Sequence, residues 1–231
     1  MVSRVTESVW QFDLRGVNAY LVDDDVLTLV DAGTPFDEDT LRTGIAEVGY
    51  AVSDIERVLV THYDLDHVGT LAALEPALDA PVYVGEFDGG VLTGNRSPPF
   101  TNHKGALQRA IGFLVTEPSL DIYTVEDGDQ IGSFTAYHTP GHTPGHFSYV
   151  SERRDVAFLG DLVTESDGEL ESSPWVMSYD TDEVRESIKS LVERAPGFEV
   201  ACMGHGTPLT LGGSDALRSL VRTKPTVAGR P

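Results

Sequence analysis

Cysteine is almost missing from this chain. Cys202 stands alone, so no internal disulfide can form and a metal site has at most one thiolate, which excludes zinc ribbons and fingers. Long apolar runs are missing too. Nothing approaches the roughly eighteen residues that span a bilayer, and the opening MVSRVTESVW lacks the apolar core of a secretory signal. A cytoplasmic protein that leaves membranes alone is expected. Positive charge is scarce: Lys and Arg total 16 against 37 Asp and Glu, for a net charge of −21, and only Lys104, Lys189 and Lys224 are lysines. A field of that sign repels phosphate, so nucleic acid and anionic membranes are not expected as partners. Several catalytic signatures are also absent. The chain has no G-x-S-x-G, no P-loop, no H-E-x-x-H and no dinucleotide G-x-G-x-x-G.

What is present suits one domain. At 231 residues and 40% hydrophobic, the chain can bury a sizeable core and is not disordered. Strand-like runs come first, VWQFDL (9–14), NAYLV (18–22) and VLTLVDAG (26–33), and then PFDEDTLRTGIAEVGY carries Leu41, Ile45 and Val48 at helical spacing. IERVLVTH (55–62) predicts a strand, VGTLAALEPAL (68–78) a helix and PVYVGE (81–86) a strand. From about 88 to 118, Gly, Asn, Pro98 and Pro99 interrupt the rhythm before a helix from about Lys104 to Val115, so this segment is expected as a lid or insertion. IYTVEDGD, SFTAYHT, HFSYVS and VAFLGD open a second strand-rich half, followed by a helix at 181–194, the strand FEVACMGH and a last helix from about Ser214 to Val221. Two successions of this kind without a low-complexity linker predict two similar halves packed as an α/β fold of four layers, one domain over 1–231.

Chemistry gathers where apolar strands run into Gly or Asp turns: His62 and His67 in THYDLDHVG, His142 in HTPGHTPGH, Asp161 in AFLGD and His205 in MGHG. Strand ends on one sheet edge meet without distorting any helix, so distant stretches can build one divalent-metal pocket. In THYDLDHVG, a strand turning into a helix can aim His62 and Asp64 at one ion and Asp66 and His67 at a neighbour. Adjacent carboxylates of this kind are costly to bury without a cation.

These motifs resemble the metallo-β-lactamase superfamily, whose signature is H-x-H-x-D-H followed by separate His, Asp and His ligands, and the likeness runs from VDAG at Asp31 to GHG at His205. The resemblance implies an αβ/βα sandwich with a one- or two-metal site at one edge of its sheets. By position it implies His62, Asp64 and His142 at a first metal, Asp66, His67 and His205 at a second, Asp161 bridging both, and Asp31 bracing the ligand loop. Asp64 stands where the family usually has histidine. With two divalent ions and a bridging hydroxide the carboxylates Asp64, Asp66 and Asp161 sum to zero, against +1 with histidine, so bound water should be less acidified. Asp64 can ligate directly, or through water, or face away. Zinc is the expected ion; an oxygen-rich site also admits iron or manganese, and His62, Asp64 and His142 make a 2-His-1-carboxylate set of the non-haem iron type.

The implied function is a metal-dependent hydrolase in which a metal-bound hydroxide attacks an ester, thioester, lactone or related small-molecule substrate, with Asp66 as the catalytic residue that orients the nucleophile and returns a proton. A non-haem iron oxidoreductase resembling persulfide dioxygenases is the alternative, and a metal-binding module with a damaged site is a third. Lactonases that resemble this chain often carry Tyr three residues after the bridging Asp, where Thr164 stands. Glyoxalase II-like thioesterases grip glutathione with a basic cluster, for which Arg218, Arg222 and Lys224 are the nearest candidates. Self-association into a homodimer is left open. His138 and His146 are expected as strand or supporting residues, His103 as a surface residue, Tyr63, Tyr179 and Trp175 as core or rim packing, and Cys202 as a small buried hydrophobe.

The acidic residues are spread along the whole chain, with Arg favoured over Lys. This pattern predicts the surface of a salt-adapted protein, in which a short Debye length weakens self-repulsion; an ordinary acidic cytosolic enzyme is the alternative. Unfolding measured from low to molar KCl should show stability rising with salt, and equal stability at both ends contradicts the halophilic reading.

Overall fold

The computed structural model describes residues 1–222; Lys224 lies outside the described residues. Sheet one carries seven strands in chain order: β1 (Val2–Arg4), β2 (Val9–Leu14), β3 (Val17–Asp23), β4 (Leu27–Val30), β5 (Arg57–Leu59), β6 (Val82–Gly85) and β7 (Ile122–Val125). Its first four strands are antiparallel, and from β4 to β7 every pairing is parallel. The second half supplies β8 (Gln130–Ile131), β9 (Phe134–His138), β10 (Phe147–Ser151), β11 (Val156–Gly160), a hairpin of β12 (Val163–Ser166) and β13 (Glu169–Ser172), and β14 (Val200–Met203). Sheet two runs in the order β14, β11, β10, β9, β8, with β11 and β14 parallel.

Period-two alternation explains the layers. In β3, Tyr20 and Val22 face the other sheet, where they meet Phe134, Tyr149 and Phe158. Ala19 and Leu21 point the opposite way, into a cluster with Leu41 and Ile45 of α1 (Glu38–Glu47), Val68 of α2 (Leu65–Val68) and Leu71 of α3 (Leu71–Leu74). Sheet two behaves likewise. Val150, Ala157 and Leu159 turn away from sheet one toward Val184, Ile188 and Leu191 of α6 (Thr181–Arg194) and Leu217 of α7 (Gly213–Arg222). The result is the expected four-layer αβ/βα sandwich, with α4 (Glu86–Leu92) and α5 (His103–Ile111) falling in the segment that precedes β7. Among the described residues no helix is long and apolar enough to cross a membrane.

Several sequence expectations change. The two halves differ, since seven strands face five: Ile122–Val125, expected to open the second half, pairs in parallel with β6 and extends sheet one. The helix expected over 68–78 is two short helices. Gly69 N–H donates to Gly33 O at 2.8 Å and Thr70 Oγ1 donates to Ala32 O, so the VDAG turn clamps the chain between them. The strand expected to reach His62 ends at Leu59. Beyond it, Val60 N–H still donates to Tyr83 O in sheet one, whereas Thr61 O accepts from Phe147 N–H in sheet two, which carries His62 to the seam between the sheets.

Phe158 sits fully buried in that seam, with ring centroids 5.3 Å from Tyr20 and 6.0 Å from Phe134. Phe158→Ala should destabilise the fold by about 3–5 kcal/mol through lost burial and a residual cavity, read as a lower urea midpoint at unchanged slope; a loss below about 1 kcal/mol contradicts this packing.

Candidate metal centre

The C-terminal ends of β4, β5, β11 and β14 open onto one edge of the sandwich, the place where parallel strands usually present ligand-binding loops. There the structure brings His62, Asp64 and His142 into one trio, His62, His67 and Asp161 into a second, and Asp66, His67 and His205 into a third. Within each, the ligand atoms lie within 4.8 Å of one another. His62, His67 and His142 are buried, as are Asp64 and Asp161, while Asp66 and His205 lie half-buried on the open side. All seven residues singled out in the sequence therefore share one cluster.

Each imidazole is aimed by a bond at its far nitrogen. His67 Nδ1–H donates to Asp31 Oδ2 at 2.9 Å and His205 Nδ1–H to Gly16 O at 2.7 Å. Thr61 Oγ1–H donates to Asp31 Oδ2 at 2.7 Å, which leaves its oxygen free to accept His62 Nδ1–H at 2.9 Å. His142 Nδ1 meets Ser173 Oγ at 2.8 Å. In every case Nε2 faces the cluster. Asp31 holds this network from a left-handed backbone conformation, φ 57°, which a non-glycine residue adopts at a cost. Gly204 makes the last approach possible, since a Cβ there would strike Asp161 Oδ1 and His67 Cε1.

Asp88, buried on α4, ties two ligand loops together. It accepts from Tyr63 N–H at 2.9 Å, Thr143 Oγ1–H at 2.5 Å and Gly145 N–H at 3.1 Å. Sequence reasoning left it among the irregular residues of the insertion, and no local signal marked it. Helix α5 supplies two more residues that were passed over: Lys104, 1% exposed, whose Nζ is 2.8 Å from Asp64 Oδ2 and 2.5 Å from His142 Nε2, and Gln108, whose Nε2 donates to Asp64 Oδ1 at 2.7 Å. For Lys104 a signal existed, because a lysine is rare in this chain.

The remaining residues fall into place around this centre. His146 is buried and accepts Asp161 N–H at Nε2, whereas His138 and His103 are exposed; His103 stacks on the exposed Trp175. Tyr63 is buried, and Tyr179 donates to Gln108 Oε1 at 2.5 Å. Burial pushes the Cys202 thiol up, away from nucleophilic use. Arg218 pairs with Asp215 on its own helix.

Among the described residues, five buried side-chain polar atoms lack a hydrogen-bond partner, and three of them are His62 Nε2, His67 Nε2 and Asp161 Oδ1. They belong to one trio. Two imidazoles and a carboxylate, with donor atoms bare and far sides anchored, form a set that suits a divalent cation.

Burial and neighbouring charge act against each other in this cluster. Burial alone would raise Asp161, yet His67 and His142 hold it well below the usual carboxylate range. Burial alone would lower His67, but Asp161 and Asp31 raise it well above the ordinary imidazole value. The His205 ring is raised to about 9, since Asp161, with Oδ2 3.2 Å away, outweighs burial. His62 and His142 are lowered, first by burial and then by the positive charge of His67 and Lys104 respectively.

Comparison with known proteins agrees with this arrangement. The model of the metallo-beta-lactamase superfamily matches residues 12–205. The chain is 30% identical over 223 residues, 88% of its own length and 91% of the other's, to the uncharacterized protein YobT of Bacillus subtilis (strain 168). It is 27% identical over 202 residues, covering 79% of this chain and 76% of the other, to the probable metallo-hydrolase YflN of the same organism. Among solved structures, a metallo-beta-lactamase family protein from Thermus thermophilus shares the fold, with TM-score 0.72 and 20% identity over 95% of this chain and 80% of that one. TTHA1623, solved in a di-iron-bound form, gives TM-score 0.66 and 29% identity over 86% of this chain and 92% of that one.

The raised imidazoles fix a sign for cation binding. Without a cation, His205 is protonated below about 9, and its ion pair stabilises the fold fully below the free imidazole value of 6.5 and ceases to do so as pH climbs through 9. An ion needs the neutral ring, so binding at pH 7 should release at least one proton. Apparent affinity should then rise by about tenfold per pH unit per proton, with the His205 contribution levelling off above about 9. Calorimetry in buffers of different ionisation enthalpy reads this directly, and proton-free binding at pH 7 contradicts it.

Proposed function

The chain belongs to the metallo-beta-lactamase superfamily, and on that premise we propose that it is a metal-dependent hydrolase of small molecules carrying an ester, thioester or lactone bond. The single observation that carries this reading is the trio of bare, buried donor atoms on His62, His67 and Asp161. A bound ion would supply acidified water and polarisation of the oxygen that gains charge.

The chain's own residues do the rest. Asp161 presents one oxygen toward His67 Nε2 at 3.4 Å and the other toward His205 Nε2 at 3.2 Å, so a single carboxylate spans the centre. Asp31 fixes the plane and tautomer of His67. Asp66, half-buried with Oδ2 3.5 Å from His205 Nε2, stands on the open side, where it orients the attacking water and returns a proton to the leaving group. A substrate with an apolar body suits the nearby surface, because α5 exposes Leu107 and the segment packed beside it exposes Trp175, Val176 and Met177. The net charge of −21 favours such a molecule over a polynucleotide.

Zinc is the ion we assign, on the nitrogen and oxygen donor set. One relative by structure is a di-iron form, so iron is the competing identity. A dioxygenase built on His62, Asp64 and His142 would need Asp64 as a free ligand, and both Asp64 oxygens are engaged by Gln108 and Lys104. His62, His67 and Asp161 are also a 2-His-1-carboxylate set, so activity with each metal decides between the two readings.

The test is a panel of ester, thioester, lactone and phosphodiester substrates offered to zinc-loaded and iron-loaded protein. Hydrolysis of an ester-type bond is expected, with kcat falling about 10²- to 10⁴-fold in Asp66→Asn. Oxygen consumption by the iron form with no hydrolysis in the panel contradicts the proposal.

A further inference from the structure

We infer that the Lys104 ammonium is the fixed occupant of the first cation position, so that the chain holds one divalent ion, at His62, His67 and Asp161 with Asp66 and His205 on its open side, and not two. This rests on the hydrolase reading and specifies the make-up of its centre.

The three trios are not equivalent. In the His62, His67 and Asp161 trio every facing donor atom is without a hydrogen-bond partner. In the His62, Asp64 and His142 trio two of three donors are taken. Asp64 Oδ1 accepts from Gln108 Nε2 at 2.7 Å, Asp64 Oδ2 has Lys104 Nζ at 2.8 Å and His142 Nε2 at 3.1 Å, and Lys104 Nζ lies 2.5 Å from His142 Nε2. The ammonium thus meets the carboxylate and the imidazole that a first ion would need.

Lys104 is held in this position by its helix. Asn102 caps α5 through Lys104 N–H and Gly105 N–H and donates to Tyr179 O; His103 Nε2 meets Trp175 O at 2.8 Å. One turn on, Gln108 Nε2 donates to Tyr63 O as well as to Asp64. Tyr179 OH donates to Gln108 Oε1, which fixes the amide with its NH₂ toward the carboxylate. Gly105 lies against Pro99 O and Tyr179 without room for a side chain. Withdrawing Lys104 would take from the buried Asp64 its one ammonium partner, and a buried carboxylate that loses its countercharge is strongly penalised.

Electrostatics at the first position point the same way. A divalent ion placed between Asp64 Oδ2 and His142 Nε2 would sit against an ammonium that lies 2.8 Å from one and 2.5 Å from the other, and like charges at such separations inside a protein repel strongly. Asp64 and Lys104 therefore read as one unit: a carboxylate at a ligand position together with the cation that neutralises it.

The test counts ions. Wild-type protein loaded with excess zinc and dialysed should carry one ion per chain by elemental analysis, and manganese-loaded protein should give an uncoupled electron paramagnetic resonance signal at full loading. Lys104→Met frees Asp64 and His142 and should take up a second ion, with a spin-coupled manganese signal. Two ions in the wild type, or one still in Lys104→Met, overturns the inference. If Lys104→Met does not fold, the wild-type count and spectrum decide alone. Two ions with hydrolysis intact leaves the hydrolase reading standing, while no ion at all in the wild type removes that reading as well.

Discussion

Negative charge and bare lone pairs crowded onto one edge of a sandwich are the constraint on which the rest of this structure depends. Asp31, Asp64 and Asp161 lie almost wholly out of water within one cluster of imidazoles. Such a group is stable only if cations neutralise it. The fold meets that demand with a lysine carried in on a helix, and with imidazoles at His67 and His205 that either hold protons or, once neutral, are free to take an ion beside the donor atoms of His62 and Asp161.

The architecture follows from the need to hold those donors still. Four strands end at the same edge, yet none of the ligand side chains depends on its strand alone. Thr61 and Asp31 lock His62 and His67, Gly16 locks His205, and Ser173 locks His142. Asp88 joins the loop of His62 to the loop of His142. These contacts link sheet one to sheet two across the seam, so the inter-sheet core built around Tyr149 and Phe158 also sets the geometry of the centre.

Much of this was legible in the sequence because it is periodic or compact. Alternation in Val17–Asp23 and the spacing in Thr181–Arg194 announce their elements directly, and THYDLDHVG places four ligand-type residues within one turn. The illegible parts are those decided by partners far along the chain. The break between α2 and α3 comes from the VDAG turn some 35 residues earlier, and β7 joins sheet one because β6 offers a parallel edge. Lys104 and Gln108 look like ordinary polar helix residues until α5 is laid over Asp64, and Asp88 looks like loop until its three donors converge. Asp64 itself was visible as an exception, but its reason was not, since the compensating charge sits 40 positions away.

In the centre as proposed, the Asp64 carboxylate is matched by the Lys104 ammonium, and the ion is left to His62, His67 and Asp161. The most direct test of the central claim is anomalous diffraction at the absorption edge of zinc, and separately of iron, from crystals grown with each ion. The account predicts an anomalous peak within bonding distance of His62 Nε2, His67 Nε2 and Asp161 Oδ1. A map without a peak between those three atoms, in protein saturated with either ion, contradicts it.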